Sequence, residues 1–252
     1  MAELYKIVSY LNDLLEAEKI KDLAYNGLQV EGSSKVCKII TGVSANYSLL
    51  HAAYKKKADL VITHHGLVFG GINKITGPLR HRLKLLLKND ISLLAYHLPL
   101  DMHKECGNNA CLAQLFDFES INAFGSYKNQ DIGFVIRLKV ELSIDEVMAI
   151  VTSKINKLAR VFPFGTEKIK TIAICSGGAS NLIEEAIDCN YDLFLSGEAA
   201  EYTPALCREA KIHSISAGHH ATERFGIKAL GNLISKEFID CELEFVDIYN
   251  DL

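Results

Sequence analysis

Apolar residues recur at helical spacing between Glu3 and Glu16, where Leu4, Ile7, Val8, Leu11, Leu14 and Leu15 fall on one face. The pattern then changes to short unbroken apolar runs. Val36–Val43, Asp59–Thr63 and Ile91–Tyr96 read as buried strands. Asn46–Lys57, Leu79–Lys88 and Asn108–Phe116 read as helices between and after them. The turn-rich stretch Asn26-Gly27-Leu28-Gln29-Val30-Glu31-Gly32 surrounds a short extended piece. A middle segment comes next, with a strand at Gly133–Val140, a helix at Ile144–Lys154 and a turn at Pro163-Phe164-Gly165. The first rhythm then returns in strands Lys170–Ser176, Asp192–Leu195 and Ile212–Ser216. Helices Asn181–Cys189, Ala199–Ala210 and His219–Lys236 accompany them. The alternation predicts an α/β fold.

The return is an internal repeat. A displacement of 133 carries Leu49-Leu50 onto Leu182-Ile183, Ala53 onto Ala186, and Asp59-Leu60-Val61-Ile62 onto Asp192-Leu193-Phe194-Leu195. A displacement of 122 carries His97 onto His219 and Asp101 onto Glu223. Apolar αβ patterns align by chance, but histidines and carboxylates do not fill patterns. The repeat predicts two similar halves, 1–125 and 126–252, with a site between them.

Composition narrows the setting. Of 252 residues, 49% are hydrophobic, enough for one large core or two modest ones. The net charge of −4 and pI near 6.1 come with no basic or acidic tail, which counts against nucleic-acid and membrane-surface partners. The seven cysteines form no CxxC pair and read as reduced, buried thiols. No apolar run approaches the roughly 18 residues needed to span a bilayer. The opening Met1–Lys6 resembles no secretory leader, so a cytoplasmic location is expected.

Functional groups of open α/β sheets gather beyond the carboxyl ends of the strands. Four clusters fall there: His64-His65, His97 with Asp101, Gly197-Glu198, and His219-His220 with Glu223. They hold five of the nine histidines, which is the main signal. His219 and Glu223 are four apart on a predicted helix, so one face presents both to one ion. Imidazole nitrogen with carboxylate oxygen suits zinc, manganese, iron or nickel better than magnesium or calcium. His64 and His65 are neighbours in an extended chain and point to opposite faces. Either one binds metal while the other packs, or each binds a different ion. Pro99, between His97 and Asp101, predicts an extended turn there. Two ions sharing a bridging carboxylate would account for so many ligands. Elsewhere, Gly177-Gly178 reads as a turn more readily than as a phosphate cradle, and Lys55-Lys56-Lys57 as solvated cations ending a helix. Cys106 and Cys111 lack zinc-ligand spacing.

At these clusters the chain resembles the Nif-three-like family, the YbgI-type proteins known as type-two homologues of GTP cyclohydrolase I. The resemblance rests on the Asn26–Gly32 stretch, Ile62-Thr63-His64-His65-Gly66, His97-Leu98-Pro99-Leu100-Asp101 and Gly107-Asn108-Asn109. Ser196-Gly197-Glu198 and Gly218-His219-His220-Ala221-Thr222-Glu223-Arg224 complete it. It implies a dinuclear centre held by His64, His65, Asp101, His219 and Glu223, with Glu223 touching both ions. It implies a fold of two intertwined α/β repeats with mixed sheets. It also implies a homo-oligomer, a toroidal hexamer built as a trimer of dimers. The chain lacks the central insertion of longer members, and any function of that insert goes with it.

Two adjacent ions activate water, so the expected activity is hydrolysis of a small, nucleotide-like molecule. In a GTP cyclohydrolase-type reaction the attack falls on the purine imidazole ring, with His97 or His220 transferring protons. Two rivals stand beside it: a non-enzymatic metal carrier, inserter or scaffold, which uses the same ligands, and a ring that threads single-stranded nucleic acid. The lack of a basic stripe interleaved with aromatics weighs against the second.

Overall fold

The computed structural model describes residues 1–72 and 74–251. In chain order the elements are β1 (Ala2–Glu3), α1 (Leu4–Leu14), β2 (Gly27–Val30), β3 (Lys35–Val36), β4 (Lys38–Ser44), α2 (Tyr47–Lys55) and β5 (Leu60–His65). Then come α3 (Gly77–Lys88), β6 (Ser92–Ala95), α4 (Leu98–Met102), α5 (Asn108–Ala113), β7 (Phe118–Tyr127), β8 (Gln130–Leu142) and α6 (Ile144–Lys154). The chain continues through β9 (Arg160–Pro163), β10 (Ile169–Cys175), a 3-10 turn at Ser180–Leu182, α7 (Ile183–Asp188), β11 (Leu193–Ser196) and α8 (Thr203–Ala210). It ends with β12 (His213–Ser216), α9 (His219–Glu237) and β13 (Glu242–Phe245).

These elements form two units. The first comprises Met1–Gly107 and Gly226–Tyr249, the second Asn108–Phe225 and Asn250–Leu252. The division differs from the expected cut at residue 125, and strand pairing explains why. Strand β7 pairs with β8 from Phe118 to Tyr127, so it belongs to the second unit. Strand β13 pairs in parallel with β4, which returns the last part of the chain to the first unit.

The first unit's sheet has the order β13-β4-β5-β6-β2, all parallel except the edge strand β2. Alternate residues of each strand face opposite sides. Ile39, Leu60, Ile62 and Leu94 pack with Leu4, Ile7 and Leu11 of α1 and with Ile227, Leu230 and Ile234 of α9. Ile40, Val61 and Leu93 pack with Leu49, Leu50 and Ala53 of α2 and Leu86 of α3. Burial on both faces is why these strands lack polar alternation.

The second unit repeats the plan. Its sheet has the order β7-β8-β10-β11-β12-β9, with β10, β11 and β12 parallel and the others antiparallel. Ile172, Leu193 and Leu195 face Val147 and Val151 of α6, while Ala173 and Phe194 face Ile183 and Ala186 of α7. The displacement of 133 is reproduced in hydrogen bonds. Asp59 Oδ2 accepts from the N–H groups of Cys37 and Lys38, at 2.7 and 2.9 Å. Asp192 Oδ2 accepts from those of Lys170 and Thr171, at 2.9 and 2.8 Å. Pairing of Ile39 with Leu60 recurs as Ile172 with Leu193.

The displacement of 122 does not survive. Thr63 pairs with Ala95 and Ser196 with Ser216, which sets the offset at 121 for the third strand of each half. On that register Gly218 stands where His97 stands, so the two His-x-x-x-carboxylate pairs are one residue out of step. The segment after His97 is also not an extended turn. It is the short helix α4, with Pro99 in its first turn, where a missing N–H breaks no helical hydrogen bond.

Candidate metal centre

In the first unit, β5 ends on His64 and His65. Strand alternation would send them apart, but the pairing of β5 with β6 stops at Thr63, and their rings lie 4.6 Å apart. The His97 ring is 5.1 Å from that of His64 and 5.6 Å from that of His65. One ligand atom from each of the three lies within 4.8 Å of the other two. The carboxylate of Asp101, on α4, is 3.5 Å from Nε2 of the fully buried His64.

The hydrogen bonds of these rings decide what they offer. His64 Nδ1 lies 3.0 Å from the carbonyl oxygen of Tyr96. A carbonyl only accepts, so Nδ1 carries a proton, and Nε2 is the nitrogen turned towards Asp101. His97 Nδ1 likewise faces Asp22 Oδ1 at 3.0 Å. His65 Nδ1 meets the Ser44 hydroxyl at 3.0 Å. Imidazoles oriented through one nitrogen by a carboxylate or carbonyl are arranged as metal ligands usually are. The donor set fits a borderline cation.

The motif at Asn26 builds this support. Asp22, with a side chain 2% exposed, accepts from His97, from the N–H of Ala24 and Leu98, and from Asn26 Nδ2. Burial pushes its carboxyl up, but His97, Asn26 and the Ala24 N–H outweigh that and hold it well below the usual carboxylate range. Asn26 Oδ1 accepts from His97 N at 2.7 Å. Gln29 Oε1 accepts from Leu67 N at 2.7 Å, just past the paired histidines. A Cβ on Gly66 would collide with the Gln29 amide, which explains the glycine after His65.

In the second unit, His219 opens α9. Its Nε2 is 3.1 Å from Glu223 Oε1 one turn on, and its Nδ1 is 2.5 Å from Glu198 Oε1. Burial alone would lower the His219 pKa, but the two carboxylates raise it to about 9. The ring is thus an imidazolium between two acids at neutral pH, a nitrogen–oxygen pair that accepts a cation in place of its proton. Glu223 is 3% exposed. Gly177 makes room for it: φ is +65°, and a Cβ there would strike Glu223 Oε1. Thr222 Oγ1 accepts from Gly177 N at 3.0 Å and fixes that turn. Gly177-Gly178 is therefore a turn that seats a carboxylate. His220 is buried in the first turn of the same helix. Glu198 also lines a cavity of about 620 Å³ with Arg160, Phe162, Glu201, Ser216 and Gly218.

The described residues thus carry groups of histidines and acids able to hold metal ions. A match to the Duf34/NIF3 (NGG1p interacting factor 3) family spans residues 2–251. The chain belongs to the DUF34/NIF3 family. It is 37% identical to a "GTP cyclohydrolase 1 type 2 homolog" of Archaeoglobus fulgidus, covering 99% of both chains. With the protein of the same description from Pasteurella multocida it shares 42% identity, over 95% of this chain and 96% of the relative. Among solved structures, the ybgI protein, described as of unknown function, superposes with a TM-score of 0.92 at 37% identity and full coverage of both chains. TTHA1606 from Thermus thermophilus gives 0.91 at 28%, again with full coverage of both. The α/β fold with mixed sheets is that of these DUF34/NIF3 structures.

Of the expected site residues, the first unit brings together His64, His65 and His97 with Asp101 beside His64, and the second brings together His219 and Glu223. His97, expected to move protons, stands within the imidazole group. Sequence reasoning passes over Asp22, Asn26 and Gln29 as site residues, although the Asn26–Gly32 stretch is conspicuous. Glu198 stands out there only as part of a cluster without a role. Among the described residues, no helix is long and apolar enough to cross a membrane.

Proposed function

We propose that this DUF34/NIF3 protein is a dinuclear metal-dependent hydrolase acting on a nucleotide-like substrate. His64, His65 and Asp101 of the first unit and His219 and Glu223 of the second are its ligands, with His97 adjoining. One observation carries the reading: three imidazoles have Nδ1 committed to Tyr96, Ser44 and Asp22, while a ligand atom of each converges within 4.8 Å of the others.

When bound, the ion pair supplies water activation near neutral pH and neutralises developing negative charge. The chain's own residues supply the rest. Asp22 and Tyr96 orient His97 and His64, and Glu198 orients His219. His220 is the remaining imidazole for proton transfer. The cavity beside Glu198 has the volume of a nucleotide-sized ligand, within the roughly 300–1,000 Å³ of small-molecule sites. Its Arg160 suits an anionic group such as a phosphate. Relatives described as homologues of GTP cyclohydrolase 1 type 2 favour a purine nucleotide. The resemblance also supports assembly as a toroidal hexamer, which light scattering checks.

The test is elemental analysis of protein purified without chelator or nickel resin, then turnover of GTP and related heterocycles with each metal found. About two ions per chain are expected, with activity lost in His64→Ala and Glu223→Ala. Less than one ion per chain sinks the dinuclear reading. Full loading without turnover, with metal passed to an apo-acceptor, makes the protein a carrier.

A further inference from the structure

Phe69 is 40% exposed, yet its ring lies 5.4 Å from that of His97, at an interplanar angle of 73°, and 6.2 Å from that of His65. It is a hydrophobic ring left open to solvent at the edge of three imidazoles. Leu23, Tyr25, Ile72 and Ile75 on the same two loops are also exposed. Scattered apolar residues need no explanation, but a group of them flanking polar ligands marks a contact surface.

The surface is built rather than loose. Tyr25 N donates to Val68 O at 3.0 Å and Gly70 N to Leu23 O at 2.8 Å, with Ala24 bridged to Phe69 between them. The Gln29 side chain clamps both loops, donating to Tyr25 O and accepting from Leu67 and Val68. Gly70 and Gly71, with φ of +62° and +101°, turn the chain away just after Phe69. Pairing on both sides of Phe69 fixes where the ring stands. Among the described residues, none of the buried hydrophobic clusters includes this ring. What it offers is a stacking face beside the residues that would hold the metal.

We propose that Phe69 binds the substrate directly: its exposed side stacks a planar nitrogen heterocycle of the purine type beside His64, His65 and His97. The inference rests on the hydrolase reading above and adds the chemistry that selects the ring. An exposed phenyl face favours flat π-systems over aliphatic chains of equal area. Stacking tolerates different bases, because every base has a π-face, so the wall selects heterocycles as a class. A ring stacked there lies steeply inclined to His97, as Phe69 itself does.

The chain has no tryptophan, so Phe69→Trp installs a single fluorescent reporter at the wall. The probes are GTP, guanosine and inorganic tripolyphosphate, titrated into metal-loaded protein. GTP and guanosine are expected to quench the emission saturably, and tripolyphosphate to leave it unchanged. In the otherwise unaltered protein, Phe69→Leu should raise the GTP dissociation constant about tenfold or more, while Phe69→Tyr stays near the parent. Metal content by elemental analysis should be the same in all three proteins. Quenching by tripolyphosphate alone, unsaturable quenching, or unchanged GTP affinity in Phe69→Leu overturns the proposal. So does loss of metal in Phe69→Leu, which makes the ring part of the ligand scaffold. A change of sedimentation in Phe69→Ser also overturns it, since the patch is then a contact between copies. If the parent chain binds no metal, the hydrolase reading fails while the fluorescence still reports whether heterocycles stack there.

Discussion

The Nδ1 atom of His97 lies 3.0 Å from Oδ1 of Asp22, an acid 75 positions earlier in the chain. Through Leu98 N and Asn26 Nδ2 the same carboxylate also ties the start of α4 to the loop before β2. It therefore sets both the tautomer and the angle of an imidazole in the candidate metal group. Asp22→Asn keeps the shape and one acceptor oxygen but removes the charge. Zinc affinity by competition with a chromophoric chelator should fall about 10- to 100-fold, the usual loss when such a supporting acid is removed. Unchanged affinity means that His97 stands apart from the metal.

His219 governs how metal binding depends on pH. In metal-free protein its pKa is raised to about 9 by Glu223 and Glu198, against burial. Below pH 9 a metal ion must displace that proton, so apparent affinity should rise with pH, about tenfold per unit for one proton, and level off above 9. Calorimetry in buffers of different ionisation enthalpy should count the released proton. The same ion pairs stabilise the metal-free fold fully below the unfolded pKa of about 6.5, and that contribution is lost as pH rises through 9. Glu198→Gln should lower the plateau pH. A pH-independent affinity between 7 and 9 removes His219 from the ligands.

Two acids with no part in the chemistry carry the repeat. Asp59 and Asp192 each bind two N–H groups at the start of the neighbouring strand. Removing Asp192 leaves two half-buried donors unsatisfied, so Asp192→Ala should cost about 2 kcal/mol, and Asp59→Ala less, because the Cys37 donor is exposed to water. Urea unfolding should show lower midpoints with unchanged slopes. The asparagine variants, which keep an acceptor, should cost less.

That pair also shows why parts of the fold were legible. The displacement of 133 is written in residues whose roles are local: a buried strand, its preceding acid, a helix face. It therefore survives in the register of β4–β5 and β10–β11. The displacement of 122 came from matching His and carboxylate letters, and register placed it one residue off. Strands β7, β9 and β13 leave little trace in the sequence because edge and hairpin strands are half-exposed and polar, so Phe118–Tyr127 and Glu242–Phe245 have no apolar run. The clusters were visible because each ends a strand or opens a helix. Asp22, Asn26 and Gln29 were not, because their roles exist only once loops distant in sequence meet. Pro99 points to an extended turn because proline breaks a helix in its interior, but it stands at the start of α4, where it does not.

Gly177 tests whether the second unit's acid is seated for a ligand or merely packed. Its φ of +65° is left-handed, and the space its missing Cβ leaves is taken by Glu223 Oε1. Gly177→Ala imposes both penalties. The backbone strain is worth about 1–2 kcal/mol and should appear in thermal or urea unfolding. The displaced carboxylate should appear separately, as lost metal. Glu223 cannot move away without breaking its 3.1 Å approach to His219 Nε2, so metal content should fall even in the fraction that remains folded. The control is Gly70→Ala, which carries a similar left-handed φ of +62° far along the chain from Glu223, and whose Cβ meets nothing closer than 3.5 Å. It should show the strain and keep the metal. If both variants keep full metal content, Glu223 does not hold an ion. If Gly177→Ala alone loses it, the glycine after β10 belongs to the site as surely as the ligands do.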